Sequence, residues 1–193
     1  MLQVLRTHTL KPEGLSEEEF FAFCAANKEL RIERNRKGEI IIMPPTGSET
    51  GIFDANLTIR IGSWNLQKGL GKVFGSSAGF TLPNEAIRSA DAAWISNDRW
   101  ESVPESDRKR FAHICPDFVA EIKSPSDSIK DLREKMREWL ENGCRLGWLI
   151  NPEDRTYQVY TPDNHEPEVL PLGVVKGGDV LPGLKIDLNE VIG

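Results

Sequence analysis

The chain is poor in the features that would assign it to several common classes. Its 193 residues hold 3 cysteines, Cys24, Cys115 and Cys144, an odd number at wide spacing. That excludes a disulfide framework and any cysteine-based metal spacing, and it points to reduced, mostly buried thiols. Histidine is equally scarce. His8, His113 and His165 fall in no ligand register, so no role is assigned to them. No apolar run approaches membrane-spanning length, and the first residues lack a basic-then-apolar leader pattern. The expectation is a soluble, cytoplasmic protein with no membrane partner. An excess of positive charge is missing too. The formal net charge of −6 argues against a broad basic surface that coats nucleic acid. It still leaves room for an enzyme that meets a phosphodiester locally. Repeats and low-complexity segments are absent, and the length fits one domain over residues 1–193. Residues 1–14 read as a loose lead-in that pairs one short strand around Val4.

What is present alternates between helix and strand signals. Ser16 followed by Glu17, Glu18 and Glu19 is a hydroxyl cap with acids in the first turn and Glu19 in capping-box position. Leu30–Glu33 and Glu39–Met43 flank a basic tip ending in Gly38, a β-hairpin pattern whose tip reads as a solvated turn. Thr46 to Glu49 forms a second capping box, opening a helix that runs to about Lys68 with Phe53, Leu57, Ile61 and Trp64 as its buried stripe. Glu49 has two readings: it caps its own helix, or it lies beside the core face and looks into a site. Strands follow at Lys72–Phe74, Phe80–Leu82 and Ile87–Ile95, then a long polar excursion over residues 96–115 with one helical turn near Pro104–Phe111. A helix from Ser128 carries Ile129, Leu132, Met136, Trp139 and Leu140 inward, with Lys135 at the stripe's border. Leu146–Ile150 is a continuous apolar run, so a buried central strand, and Thr156–Tyr160 hairpins onto it.

Two places in this pattern hold charge where a core is expected. Asp91 sits in the middle of the Ile87–Ile95 strand among Ala90, Ala92 and Ala93. Aspartate is depleted in strands and costly to bury alone, so it requires a partner or a metal. The stretch Pro116-Asp117-Phe118-Val119-Ala120-Glu121-Ile122-Lys123-Ser124-Pro125-Ser126-Asp127 ends a strand with an acid and a lysine. With a side-chain period of two, Glu121 and Lys123 share one face while Phe118, Ala120 and Ile122 share the other. Asp117 lies on the acid's face, but four residues of strand separate them by about 13 Å, too far to share one ion, so Asp117 is read as structural.

An acid on one strand, Glu-x-Lys on the next and a crossover helix after it resemble the PD-(D/E)XK nuclease superfamily. Within it, the Glu121-Ile122-Lys123-Ser124-Pro125-Ser126-Asp127 run is similar to the Uma-two restriction-endonuclease-like family. So is the downstream series Lys135, Trp139, Gly143 and Leu146 to Pro152. The resemblance covers the chain from the hairpin at Leu30 to the C-terminus. It implies an α/β fold with a restriction-endonuclease-like central mixed sheet flanked by helices, an N-terminal hairpin and short C-terminal strands. It also implies a metal-dependent endonuclease that hydrolyses phosphodiester bonds, most readily in DNA, with Mg²⁺ or Mn²⁺ as cofactor and a homodimer as the assembly. Asp91 and Glu121 would be the metal ligands, with the Ile122 carbonyl as a third, and Lys123 would orient water or hold the phosphate. Glu49 and Lys135 match secondary site positions. The chain departs from the superfamily in having Ala90 where a proline precedes the first acid. The alternative is a catalytically silent module of the same fold, used for protein interaction or assembly.

Overall fold

The computed structural model describes residues 8–10 and 15–193; the strand expected around Val4 lies outside the described residues. From the N-terminal side, the chain runs through β1 (His8–Leu10), α1 (Glu17–Ala26), β2 (Arg31–Arg34), β3 (Ile40–Met43) and α2 (Ser48–Lys68). The capping box of α1 forms as its sequence dictates. Ser16 accepts from the Glu19 amide at 3.2 Å, and the Ser16 amide donates to Glu19 at 2.8 Å. The box expected at Thr46 does not form. The N-cap of α2 is Gly47 with no side-chain hydrogen bond, and Glu49 stands exposed in the first turn. The predicted inner stripe of α2 holds, with Phe53, Leu57, Ile61 and Trp64 all buried.

The next elements are β4 (Gly71–Gly75), β5 (Phe80–Thr81), β6 (Ile87–Arg88), β7 (Ala92–Ser96), α3 (Asn97–Ser102), α4 (Glu105–Arg108), β8 (Ala112–His113) and β9 (Phe118–Ile122). Two short helices therefore occupy the excursion where one turn was expected. More consequentially, the single strand predicted over Ile87–Ile95 is two. β6 pairs with β2 and β5 in one sheet, whereas β7 pairs with β4 and β9 in another. Ser89, Ala90 and Asp91 carry the chain across between them. The physical reason is that polar side chains replace the ladder at the crossing: the Asp91 carboxylate accepts the Ile122 amide at 2.7 Å, and Glu33 accepts the Ser89 amide at 3.2 Å.

The chain closes through α5 (Ile129–Glu141), β10 (Leu146–Asn151), β11 (Thr156–Tyr160), β12 (Leu170–Pro171), β13 (Val174–Lys176), β14 (Lys185–Asp187) and α6 (Leu188–Ile192). The central sheet has the order β12-β11-β10-β9-β7-β4, and the N-terminal sheet β1-β3-β2-β6-β5-β8. β9 and β10 run parallel, joined by α5 as the crossover, while the other pairs of the central sheet are antiparallel. It is thus a mixed sheet with helices on both faces, as expected. Alternation sorts its side chains: Ala92, Trp94, Phe118, Ala120 and Ile122 pack with α2 and α6. Ala93, Ile95, Val119 and Leu149 pack with α5. Asp117 is structural, as expected. It is fully buried, accepts the Ser96 amide at 2.9 Å and faces Arg99 at 2.9 Å, tying the start of β9 to the end of β7.

Candidate active site

The β7–β9 ladder registers Ala92 against Ala120. One residue before that ladder begins, Asp91 bonds the Ile122 amide at the end of β9, and its charge acts on the neighbouring Glu121. The two acids that the sequence singles out therefore lie close together at the end of β9. Both are buried, at 7% and 2% exposure. Buried carboxylates need compensation, and each is tied to a different element. Asp91 takes the guanidinium of Arg31 on β2 at 3.1 Å and the Ile122 amide at 2.7 Å. Glu121 takes the Lys135 ammonium at 2.9 Å and the indole N–H of Trp139 at 3.1 Å, both from α5.

Behind Glu121 lies a connected charge network. Lys135 also donates to Glu33 of β2 at 3.0 Å and to the Ser89 carbonyl at 2.7 Å. Glu33 in turn holds Arg88 at 2.9 Å, and Arg88 reaches Glu138 of α5 at 2.5 Å. Burial opposes the charge of Glu33, but Lys135 and Arg88 outweigh it and hold the carboxyl down at about 2. Burial likewise opposes the charge on Lys135, and Glu121 with Glu33 keeps it protonated. Glu121 goes the other way. Burial, with Asp91 and Glu33 adding to it, pushes its carboxyl up to about 7 despite Lys135. A further acid is involved: Asp54 of α2 is pushed up to about 7 by burial and by the neighbouring charge of Asp91. Its Oδ1 is buried and has no hydrogen-bond partner among the described residues. Acids outnumber bases at this junction, so the site is short of positive charge.

The remaining predicted residues fall at different distances from this centre. Lys135 lies at its heart. Lys123 is mostly buried and bonds Glu153 at 2.9 Å and the Ser124 carbonyl at 3.3 Å, rather than Glu121. Glu49 lies on the exposed first turn of α2, and no contact joins it to Asp91 or Glu121 among the described residues. The helix does contribute an acid, but it is Asp54, next to the buried Phe53. Arg31, Glu33, Asp54 and Trp139 escaped the sequence reading as site residues. Arg31 and Glu33 could have been noticed as charges bracketing Ile32 on a strand that must cover something; only the second sheet shows what.

A family model described as "Putative restriction endonuclease", Uma2, matches residues 17–189. The chain belongs to the Uma2 family. No curated protein matches it. Among solved structures, it is similar to the crystal structure of a "putative nuclease belonging to DUF820" from Anabaena variabilis ATCC 29413, with TM-score 0.75 and 22% identity over 93% of this chain and 98% of that one. That likeness is one of fold. In this Uma2 chain every acid at the junction offers hard carboxylate oxygens, which suit Mg²⁺ or Mn²⁺ and not a soft metal. Among the described residues no three Asp, Glu, His or Cys side chains form a ready-made metal cage. Mg²⁺ commonly uses one or two carboxylates and completes its shell with water and substrate phosphate. The orphaned Asp54 oxygen near Asp91 and the excess of acid are of the kind that such a cation would use.

Proposed function

We propose that this protein is a metal-dependent endonuclease that hydrolyses phosphodiester bonds in DNA, with Mg²⁺ or Mn²⁺ as its cofactor. The observation that carries the reading is the closeness of Asp91 and Glu121 at the end of β9, with Asp54, whose Oδ1 has no hydrogen-bond partner among the described residues, beside Asp91. Asp91 and Glu121 would hold the divalent cation, which when bound would supply charge neutralisation at the phosphate and activation of water. The chain's own residues do the rest. Trp139 and Lys135 fix the orientation of Glu121, and the Ile122 amide fixes that of Asp91. Lys123, whose partner Glu153 is highly exposed, can release that carboxylate and turn its ammonium to a phosphate oxygen or to the attacking water. Arg31 adds a second cation beside Asp91.

One observation favours the other reading, a catalytically silent module. Arg31 and Lys135 already neutralise Asp91 and Glu121 within the chain itself. A plasmid-nicking assay separates the two. With Mg²⁺ or Mn²⁺ the wild type is expected to nick, chelator to abolish the activity, and Glu121→Ala and Lys123→Ala to reduce it at least about a hundredfold. Equal nicking by all three proteins would mark contamination and sink the assignment.

A further inference from the structure

α2 turns its inner stripe to the central sheet, but its outer face is also apolar. Ile52, Ile59 and Leu66 recur at every seventh position and are 58%, 63% and 86% exposed. Single exposed aliphatics need no explanation; three in register along one helix form a continuous ridge. A seven-residue repeat is the spacing that keeps one apolar seam facing a second helix. Between the large residues stand Ala55 and Gly62, small enough for another backbone to come close. Beside the ridge runs a cavity of about 400 Å³, lined by Ile59, Ser63 and Gln67 of α2 and by Leu184 and Lys185 of the β13–β14 hairpin.

We propose that this face is a self-association surface, which takes a second copy of the chain with the two α2 helices antiparallel about a two-fold axis at Ile59. Three features specify a second copy. The ridge is self-complementary in that alignment: Ile59 meets Ile59, and Ile52 of one copy meets Leu66 of the other, as an isologous contact requires. Antiparallel helices also oppose their dipoles favourably. The surface carries its own opposite charges as well. Glu49 stands exposed at the N-terminal end of the ridge. Lys185 flanks its C-terminal half and lies directly across the hairpin from Lys176, a pairing of like charges that disfavours itself. No ion pair satisfies Glu49, Lys176 or Lys185 among the described residues. The antiparallel alignment brings Glu49 of each copy alongside the Lys185 end of the other. The contact is independent of the nuclease reading, since Asp91, Glu121, Lys123 and Lys135 lie outside α2 and the β13–β14 hairpin, and Glu49 has no contact with Asp91 or Glu121 among the described residues.

Sedimentation velocity of the full chain over a wide concentration series tests it. The wild type is expected to form a reversible dimer. Ile59→Asp and Leu66→Glu change highly exposed positions and leave the melting temperature in place. Each raises the dissociation constant about a hundredfold or more, because a two-fold contact loses the group twice. Glu49→Lys is expected to weaken the dimer, and Glu49→Lys with Lys185→Glu to restore it. A wild type that stays monomeric throughout overturns the proposal, as does a dimer that survives Ile59→Asp. If the charge exchange fails to restore association, the antiparallel arrangement is wrong.

Discussion

Lys135 places an ammonium between two buried carboxylates, 3.0 Å from Glu33 and 2.9 Å from Glu121, and its third hydrogen goes to the Ser89 carbonyl at 2.7 Å. All three donors are used, so the side chain has one position. Removing it would leave two buried acids without their counter-charge. For a buried pair broken on one side, the cost is about 3–5 kcal/mol. Lys135→Met is therefore expected to lose stability on that scale in urea titration. Lys135→Met combined with Glu33→Leu is expected to recover part of it, because one of the orphaned charges is gone. Recovery that fails to appear would mean that Glu33 draws its support from Arg88 rather than from Lys135.

At the scale of elements, the site depends on two sheets being held in register, and α1 is part of that clamp. His113 on β8 bonds Glu17 at the start of α1 at 3.0 Å and Asp107 of α4 at 3.0 Å. Burial is the largest single influence and lowers its pKa, but the hydrogen bonds and charges of Asp107 and Glu17 together prevail and raise it above the usual histidine value. The sign follows from linkage: a raised folded-state pKa contributes stability below the unfolded value near 6.5, and the contribution fades as pH rises through the folded value. His113→Gln should thus lower the melting temperature at about pH 5.5 and have a much smaller effect at about pH 8.5. The ring is half exposed, so the difference is modest. A melting difference that is flat with pH would show that the imidazole acts there uncharged.

For the whole molecule, the central sheet is the support on which everything else is mounted, and β10 is its most enclosed strand. Trp148 on it is fully buried, packs edge-on against Phe118 with ring centroids 4.7 Å apart, and leaves its indole N–H without a partner among the described residues. Trp148→Ala opens a large hole between sheet and α2, for which about 3–5 kcal/mol is the ordinary loss. Trp148→Phe keeps most of the packing and removes the unsatisfied donor, so its loss in the same urea titration should be far smaller. The contrast separates packing from polarity at the centre of the fold.

Much of the architecture was legible in local sequence because local physics decides it. The inner stripe of α2, the buried run Leu146–Ile150, the capping box at Ser16 and the turn at Gly38 follow from periodicity, capping and φ preference, which act within a few residues. Glu121 and Asp91 were conspicuous for the same reason, as charges out of place in apolar strands. What local pattern could not supply is which side chains answer them. Arg31 lies sixty positions from Asp91, and Glu33 about a hundred from Lys135; nothing in the spacing of the chain announces such pairs. The break of Ile87–Ile95 into two strands is of the same kind, since only the distant Ile122 amide and the Glu33 carboxylate give the backbone at Ser89–Asp91 something better than a ladder. Glu49 and Asp54 are the sharpest case. Both are acids on one helix, one turn and a residue apart, and only the position of the sheet decides that Asp54 is the one turned toward Asp91. The sequence by itself determined which elements form and which acids are costly to bury; the tertiary structure alone decided how that cost is met, because burial and charge pairing depend on residues that the chain brings together only on folding.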